Sequence, residues 1–128
     1  MSATGLDVFD KTVQTTNIWL KEMRAVSHAL RDRLTIDEVA HLGAQMPLLV
    51  RGLYYDQWHP AGKPERTRHP EEFLAAVAAE LDDIGPINAE DATRAVFAML
   101  EDQIASGEIE DVKGMLPSQL RRLWPGAA

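Results

Sequence analysis

A segment that occurs twice decides the fold of this protein. Residues 24–54 read RAVSHALRDRLTIDEVAHLGAQMPLLVRGLY, and residues 94–124 read RAVFAMLEDQIASGEIEDVKGMLPSQLRRLW. The two segments align at a constant offset of 70 without a gap, and nine of the 31 aligned positions are identical. A supersecondary unit that recurs in this way cannot bury its apolar face alone, so we expect the two copies to pack against each other.

The first copy has the hydrophobic spacing of α-helices. Its apolar residues recur at steps of four, three, four and four, which places them along one helical stripe: Trp19, Met23, Val26, Leu30 and Leu34. Thr35 and Glu38 have the spacing of a capping box, which predicts the start of a second helix. Pro47 is predicted to open a third helix, because a first-position proline lacks only an N–H that has no partner in the helix anyway.

The second copy repeats this pattern. Asn88 is predicted to cap its first helix, Gly107 to break the chain between two helices, and Pro117 to open the last helix. Pro70 begins a further helix upstream, and the buried stripe of that helix is predicted to comprise Phe73, Leu74, Val77 and Leu81. No strand is required by any part of the pattern.

These elements predict an all-α fold in a single domain over residues 1–128. The domain is expected to be a helical bundle of two pseudo-repeated multi-helix units, at about 14–54 and about 70–124. Residues 55–69 contain two prolines and a glycine, Pro60, Pro64 and Gly62, which favour turns. We therefore expect an extended inter-repeat loop there.

Composition excludes several classes of site. The chain has 128 residues, of which 45% are hydrophobic and 26% are charged, and it has no cysteine. Disulfide scaffolds, thiolate nucleophiles and cysteine-ligated zinc or iron–sulfur sites are therefore excluded. No basic segment leads into an apolar run at the start, and no stretch approaches the roughly 18 apolar residues of a membrane span. We expect a cytoplasmic protein without a membrane anchor.

The charge is distributed unevenly. The net charge is −7, and residues 71–128 carry twelve acidic groups against four basic ones. Such an acidic half would repel a phosphate backbone, which argues against a nucleic-acid partner.

Three strings of sequence carry a resemblance to a known family. They are GLDVFDKTVQ at residues 5–14, LRDRL at 30–34 and HLGAQMPLLVRGLYY at 41–55. On these strings the chain resembles the bacterial domain-of-unknown-function family 2267, over nearly its whole length. The resemblance implies an all-helical bacterial protein, and it brings no activity, cofactor or catalytic residue with it. We accordingly expect no cofactor.

One departure from that family predicts a dimer. Similar proteins usually place a loop and extra helical residues between the segments that match residues 19–23 and 24–26, whereas here these segments are adjacent. The two should fuse into one helix from about residue 14 to 34, about 30 Å long. We expect its N-terminal half to dock on a neighbouring molecule as a swapped homodimer. The alternative is a free end that lies over its own subunit.

A weak metal motif lies on the second helix. Glu38 and His41 are three residues apart, a spacing that puts a carboxylate and an imidazole on one helical face, as in carboxylate-bridged bundles. The matching positions in the second copy are Glu108 and Asp111, so the four side chains are candidate metal ligands across the repeat. The alternative is that Glu38 serves only as a capping residue.

The inter-repeat loop is the stronger candidate binding segment. It combines aromatic faces with positive charge, as binding hot spots and anion sites do, in Tyr55, Trp58, His59, Lys63, Arg66, Arg68 and His69. The alternative is that Trp58 plugs the core while the basic residues stay solvated or pair with the acidic helix after Pro70.

No nucleophile elbow or phosphate-binding loop is present in the sequence. The expected function is therefore a non-catalytic interaction module whose partner is a protein or a second copy. The alternative is a small-ligand or metal-binding protein that uses the cleft between the repeats.

Overall fold

The computed structural model describes residues 5–66 and 69–126, with side chains from residue 13 onward. Within these ranges the chain forms seven α-helices and no strand, so the predicted all-α class is confirmed. The helices are α1 (Gly5–Arg31), α2 (Ile36–Ala44), α3 (Leu48–Tyr55), α4 (Pro70–Leu81), α5 (Ala89–Gln103), α6 (Ser106–Gly114) and α7 (Ser118–Arg121). None of the helices seen in these ranges has the length and apolar character needed to cross a bilayer.

Helix α1 is the centre of the bundle. It packs against α3, α4 and α5, and its C-terminal half is buried almost all round from Met23 to Arg31. Helix α1 runs without a break from Gly5 to Arg31, so the predicted fusion into one helix is confirmed, but the helix begins before residue 14 and ends three residues before the predicted residue 34. It ends there because the N–H groups of Arg33 and Leu34 bond carbonyls three residues back, which tightens the chain into a turn.

One residue of the stripe that was predicted to be buried on α1 is exposed instead. Met23, Val26, Leu30 and Leu34 are buried in the core, as expected, but Trp19 is 44% exposed. The helical period continues past the end of the core, where no other described element covers this side of α1.

Two pairs of helices begin at matching positions in the two copies. Helices α2 and α6 each span nine residues and begin 70 positions apart, and α3 and α7 begin 70 positions apart. Matched apolar positions are buried in both copies: Val39 with Ile109, Leu42 with Val112, and Met46 with Leu116. The superposition of the two units as structural repeats stays a prediction.

The caps and breaks are partly as predicted. The side chains of Thr35 and Asn88 accept hydrogen bonds from the N–H groups of Glu38 and Asp91, at 3.3 and 3.0 Å, so both are N-caps. The break before α6 was expected at Gly107, and this is wrong. Ile104 adopts an extended conformation and ends α5, which leaves Gly107 inside the first turn of α6.

The two helix-opening prolines stand one position earlier than predicted. Pro47 and Pro117 have extended ψ angles of 153° and 149° and are the N-cap residues of α3 and α7. The carbonyl of Pro47 accepts the first hydrogen bond of its helix, from the N–H of Arg51 at 2.8 Å.

Aromatic side chains pack together within the second unit. The rings of Phe97 and Trp124 are stacked with centroids 4.1 Å apart, and Phe73 tilts against Phe97 at 5.9 Å. Phe73, Val77 and Leu81 are buried as predicted for α4, whereas Leu74 is only half-buried at the margin of the core.

Candidate functional site

The loop after α3 sends its aromatic side chains to the core. It begins at Asp56, one residue later than predicted, because Tyr55 still belongs to α3. Tyr55 and Trp58 are half-buried against the core, with ring centroids 5.7 Å apart. The hydroxyl of Tyr55 donates to the carbonyl of Val39 at 3.3 Å. Both aromatic residues therefore contribute to packing.

Of the described basic residues of this loop, Lys63 is the one whose charge is paired most closely. The Nζ of Lys63 lies 2.7 Å from Glu65 Oε1 and 3.9 Å from Asp32 Oδ2, so carboxylates of the same chain compensate its charge. The hydrogen bond from Lys63 lowers the pKa of Glu65. The exposed members of the set are His59, Arg66 and His69, and Arg68 lies outside the described residues. Ligand binding by this loop stays a prediction.

Two glutamates meet where α2 packs against α6. Glu38 and Glu108 lie in the first turns of these two helices, at matching positions of the repeat, and they are only 4% and 9% exposed. Oε1 of Glu38 and Oε2 of Glu108 are buried and have no hydrogen-bond partner. The capping box predicted at Thr35 is therefore only half formed, because the Glu38 carboxyl group faces Glu108.

The environment of Glu38 favours its protonated form. Burial, a hydrogen bond with Glu108, and the negative charges of Glu108 and Asp111 raise the pKa of Glu38 from 4.5 to about 8. At neutral pH this environment therefore favours the protonated form of Glu38. Two like charges this close cannot both be ionised without an opposing charge.

His41 completes a three-residue cluster with this pair. Its Nδ1 lies 3.9 Å from Glu38 Oε2, and its side chain is exposed. Ligand atoms of Glu38, His41 and Glu108 all lie within 4.8 Å of one another, so the structure brings together three of the four predicted metal candidates. The fourth, Asp111, is exposed and does not belong to this group, although its charge acts on Glu38.

Helix α3 carries an apolar surface that the sequence analysis missed. Leu48 and Leu49 are 82% and 61% exposed, and with Gly52 and Leu53 they line a shallow depression of about 530 Å³. We call these four residues the α3 patch. A signal for it was available in the alignment, because the first three of these positions are matched by polar residues in the second copy, namely Ser118, Gln119 and Arg122.

The N-terminal part of α1 carries a second exposed apolar surface. Every side chain from Val13 to Trp19 is exposed, including Ile18. We call residues 13–19 the α1 arm. Below it, Lys21 pairs with Asp83 at 2.9 Å and ties α1 to the turn after α4.

With the fold and these surfaces described, the chain can be compared with known proteins. A family model described as an uncharacterized conserved protein, DUF2267, matches residues 11–123. The chain belongs to the DUF2267 family. The predicted resemblance is thus confirmed over most of the chain. The matched range also contains the residues of the α3 patch and of the Glu38, His41 and Glu108 cluster. No curated protein matches the chain.

Proposed function

We propose that this DUF2267 protein is a non-catalytic interaction module that forms a reciprocal homodimer. In this dimer the α1 arm of each protomer covers the α3 patch of the other. The observation that carries the proposal is the division of α1 into a buried C-terminal half and an exposed apolar arm within one continuous helix. The following contacts support each half of the arrangement.

The α1 arm is built as a donor. Helix α1 has 27 residues, which corresponds to about 40 Å at 1.5 Å per residue. Three of the seven arm residues are large and apolar, namely Val13, Ile18 and Trp19, and all three are exposed. Large apolar side chains that stay exposed in the single chain are available for contact with a partner.

The α3 patch is built as an acceptor. Leu48 with Gly52 and Leu49 with Leu53 are spaced four residues apart, so they form adjacent rows along one face of α3. A Cβ atom added at Gly52 would meet open space, so a second helix can approach the backbone closely there. Burying one exposed leucine side chain contributes roughly 1.5–3 kcal/mol.

The fold does not require apolar residues at this place. The second copy has Ser118 and Gln119 at the aligned positions of Leu48 and Leu49, and both polar residues are exposed in the first turn of α7. The leucines therefore serve something other than the packing of the single chain.

A second copy of the chain is the occupant that accounts for both surfaces together. Each protomer offers one arm and one patch, so a twofold arrangement makes the same contact twice and leaves neither surface exposed. A different protein would have to cover both surfaces separately.

The absence of native cysteine permits a direct test by cross-linking. Ile18→Cys and Leu49→Cys are prepared as separate single variants and then mixed under oxidising conditions. The reciprocal dimer predicts a covalent dimer in the mixture and little in either variant alone. Efficient cross-linking of Leu49→Cys with itself would contradict the reciprocal arrangement, because it would place two α3 patches in contact.

Substitution with charged residues tests the dimer without cross-linking. The double variant Leu48→Glu with Leu49→Glu should shift native mass spectra at micromolar concentration from dimer to monomer. The matched control is Ser118→Glu with Gln119→Glu, which adds the same charge at the corresponding exposed positions and should leave the dimer intact. A monomeric mass for the unmodified chain would overturn the proposal.

A further inference from the structure

We propose that Glu38, His41 and Glu108 bind one divalent transition-metal ion, with Zn²⁺ the best match, where α2 packs against α6. This site is distinct from the arm and the patch, and it does not depend on self-association. The proposal rests on the geometry of the three side chains and on buried oxygen atoms that have no partner within the chain.

The three ligand atoms are close to the spacing of a zinc site. They lie within 4.8 Å of one another, whereas tetrahedral zinc with bonds of about 2.0–2.2 Å needs ligand atoms roughly 3.3 Å apart. Side-chain rotations that move each ligand atom by about 1 Å bring the three atoms to the spacing that zinc needs. His41 lies on the solvent side of α2 with an exposed imidazole, so it can turn toward the two glutamates without disturbing the core.

The buried oxygens are the second, independent observation. Oε1 of Glu38 and Oε2 of Glu108 are shielded from solvent and accept no hydrogen bond, although the Glu38 side chain is only 5% exposed. A buried acceptor without a partner destabilises the folded state by about 1–3 kcal/mol, and more when it is charged. A cation between the two carboxylates displaces the Glu38 proton to solvent, satisfies both atoms and offsets the repulsion between the two charges.

The donor set indicates which kind of ion fits. Two carboxylates and one imidazole suit Zn²⁺, whereas Ca²⁺ and Mg²⁺ prefer sites made of oxygen alone. Three protein ligands leave a fourth position for water, as in zinc sites that are not purely structural. The ligands come from both copies of the repeated segment, so a bound ion would link α2 to α6.

The test uses the full chain, first freed of metal with a chelator. Zn²⁺ is added while the melting temperature is followed, and Co²⁺ is added while its visible absorption is followed. We expect one ion per chain, a higher melting temperature and the absorption of low-coordinate cobalt. The absence of both a melting-temperature shift and a cobalt spectrum at millimolar ion concentration would overturn the proposal.

Variants assign the ligands. Glu38→Gln keeps the size of the side chain and removes the buried charge, and His41→Ala changes an exposed residue, so both should fold. Each should weaken metal binding by more than the roughly 10- to 100-fold that second-shell changes cause. His59→Ala is the matched control, because it removes an exposed imidazole away from the cluster. Loss of binding in His59→Ala, or full binding in His41→Ala, would assign the ion elsewhere and contradict the proposal.

Discussion

The buried pair of Glu38 and Glu108 makes the stability of this protein depend on pH in a defined direction. The folded state holds the Glu38 proton up to a pKa of about 8, whereas the unfolded chain releases it near 4.5. Between these values unfolding releases a proton, so the free energy of unfolding falls as pH rises. The contribution is fully present below pH 4.5 and is lost progressively up to about pH 8.

The magnitude follows from the width of that window. The difference between 4.5 and about 8 is roughly 3.5 pH units, and each unit corresponds to about 1.4 kcal/mol. This sets an upper limit of about 5 kcal/mol. Water entry and small shifts of the two carboxyl groups reduce the cost of ionising the pair, so we expect about 2–4 kcal/mol.

The substitution Glu38→Gln isolates this contribution. The glutamine amide donates to the Glu108 carboxylate at every pH, so the variant should lose little stability between pH 5 and pH 9. The assay is urea unfolding of the metal-free protein at several pH values, with the unmodified chain measured alongside. The variant should gain on the unmodified chain by about 2–4 kcal/mol across that range.

The control for this experiment is Glu110→Gln, which removes one carboxylate from the exposed face of the same helix. It should follow the pH dependence of the unmodified chain, because Glu110 is solvated in the folded and unfolded states alike. Equal pH dependence in Glu38→Gln and the unmodified chain would refute the reasoning, since it would mean that the pair carries no shared proton.

Five further substitutions test the packing by thermal or urea unfolding. Arg51→Ala should lower the free energy of unfolding by about 2 kcal/mol, because this side chain donates to three carbonyls between α2 and α3. Arg121→Ala should lower it less, because the Arg121 Nε donates to one carbonyl. Equal losses in the two variants would contradict this explanation. Trp124→Ala should cost about 3–5 kcal/mol through loss of the stacked ring, and a loss below about 1 kcal/mol would contradict the buried stacking. Gly43→Ala should cost about 1–3 kcal/mol, because the new Cβ meets the ring of Tyr55, whereas Gly107→Ala meets open space and should be neutral or slightly stabilising.

Local sequence patterns predicted the presence of the helices and two of their N-caps, although several helix ends differ by one to a few residues. The apolar stripe from Met23 to Leu34, the caps at Thr35 and Asn88, and the absence of a spacer before Arg24 all concern neighbouring residues. Helical periodicity and capping depend on contacts within about one turn, so they can be read directly from the order of the residues.

The exposure of some apolar residues in these helices could not be predicted from local patterns. The stripe that includes Trp19 has the same period inside and outside the core, so the sequence does not show where burial stops. Leu48 and Leu49 likewise have the composition of a buried helix. Their exposure depends on which elements lie opposite, and those elements are distant in the chain.

The candidate metal cluster could be predicted in part from the sequence. Alignment of the two copies places Glu38 opposite Glu108 and His41 opposite Asp111, which made all four candidates. The packing of α2 on α6 buried the two glutamates and left Asp111 outside the group, because burial depends on how the helices are placed in space.

The sequence by itself therefore determined the all-α class, the family and the continuity of α1, because these follow from periodicity, composition and long matching strings. Only the tertiary structure decided that the arm and the α3 patch face solvent and that two carboxyl groups share a buried space. Those properties arise from contacts between residues far apart in the chain, where the free energy of burial depends on the neighbours that folding supplies.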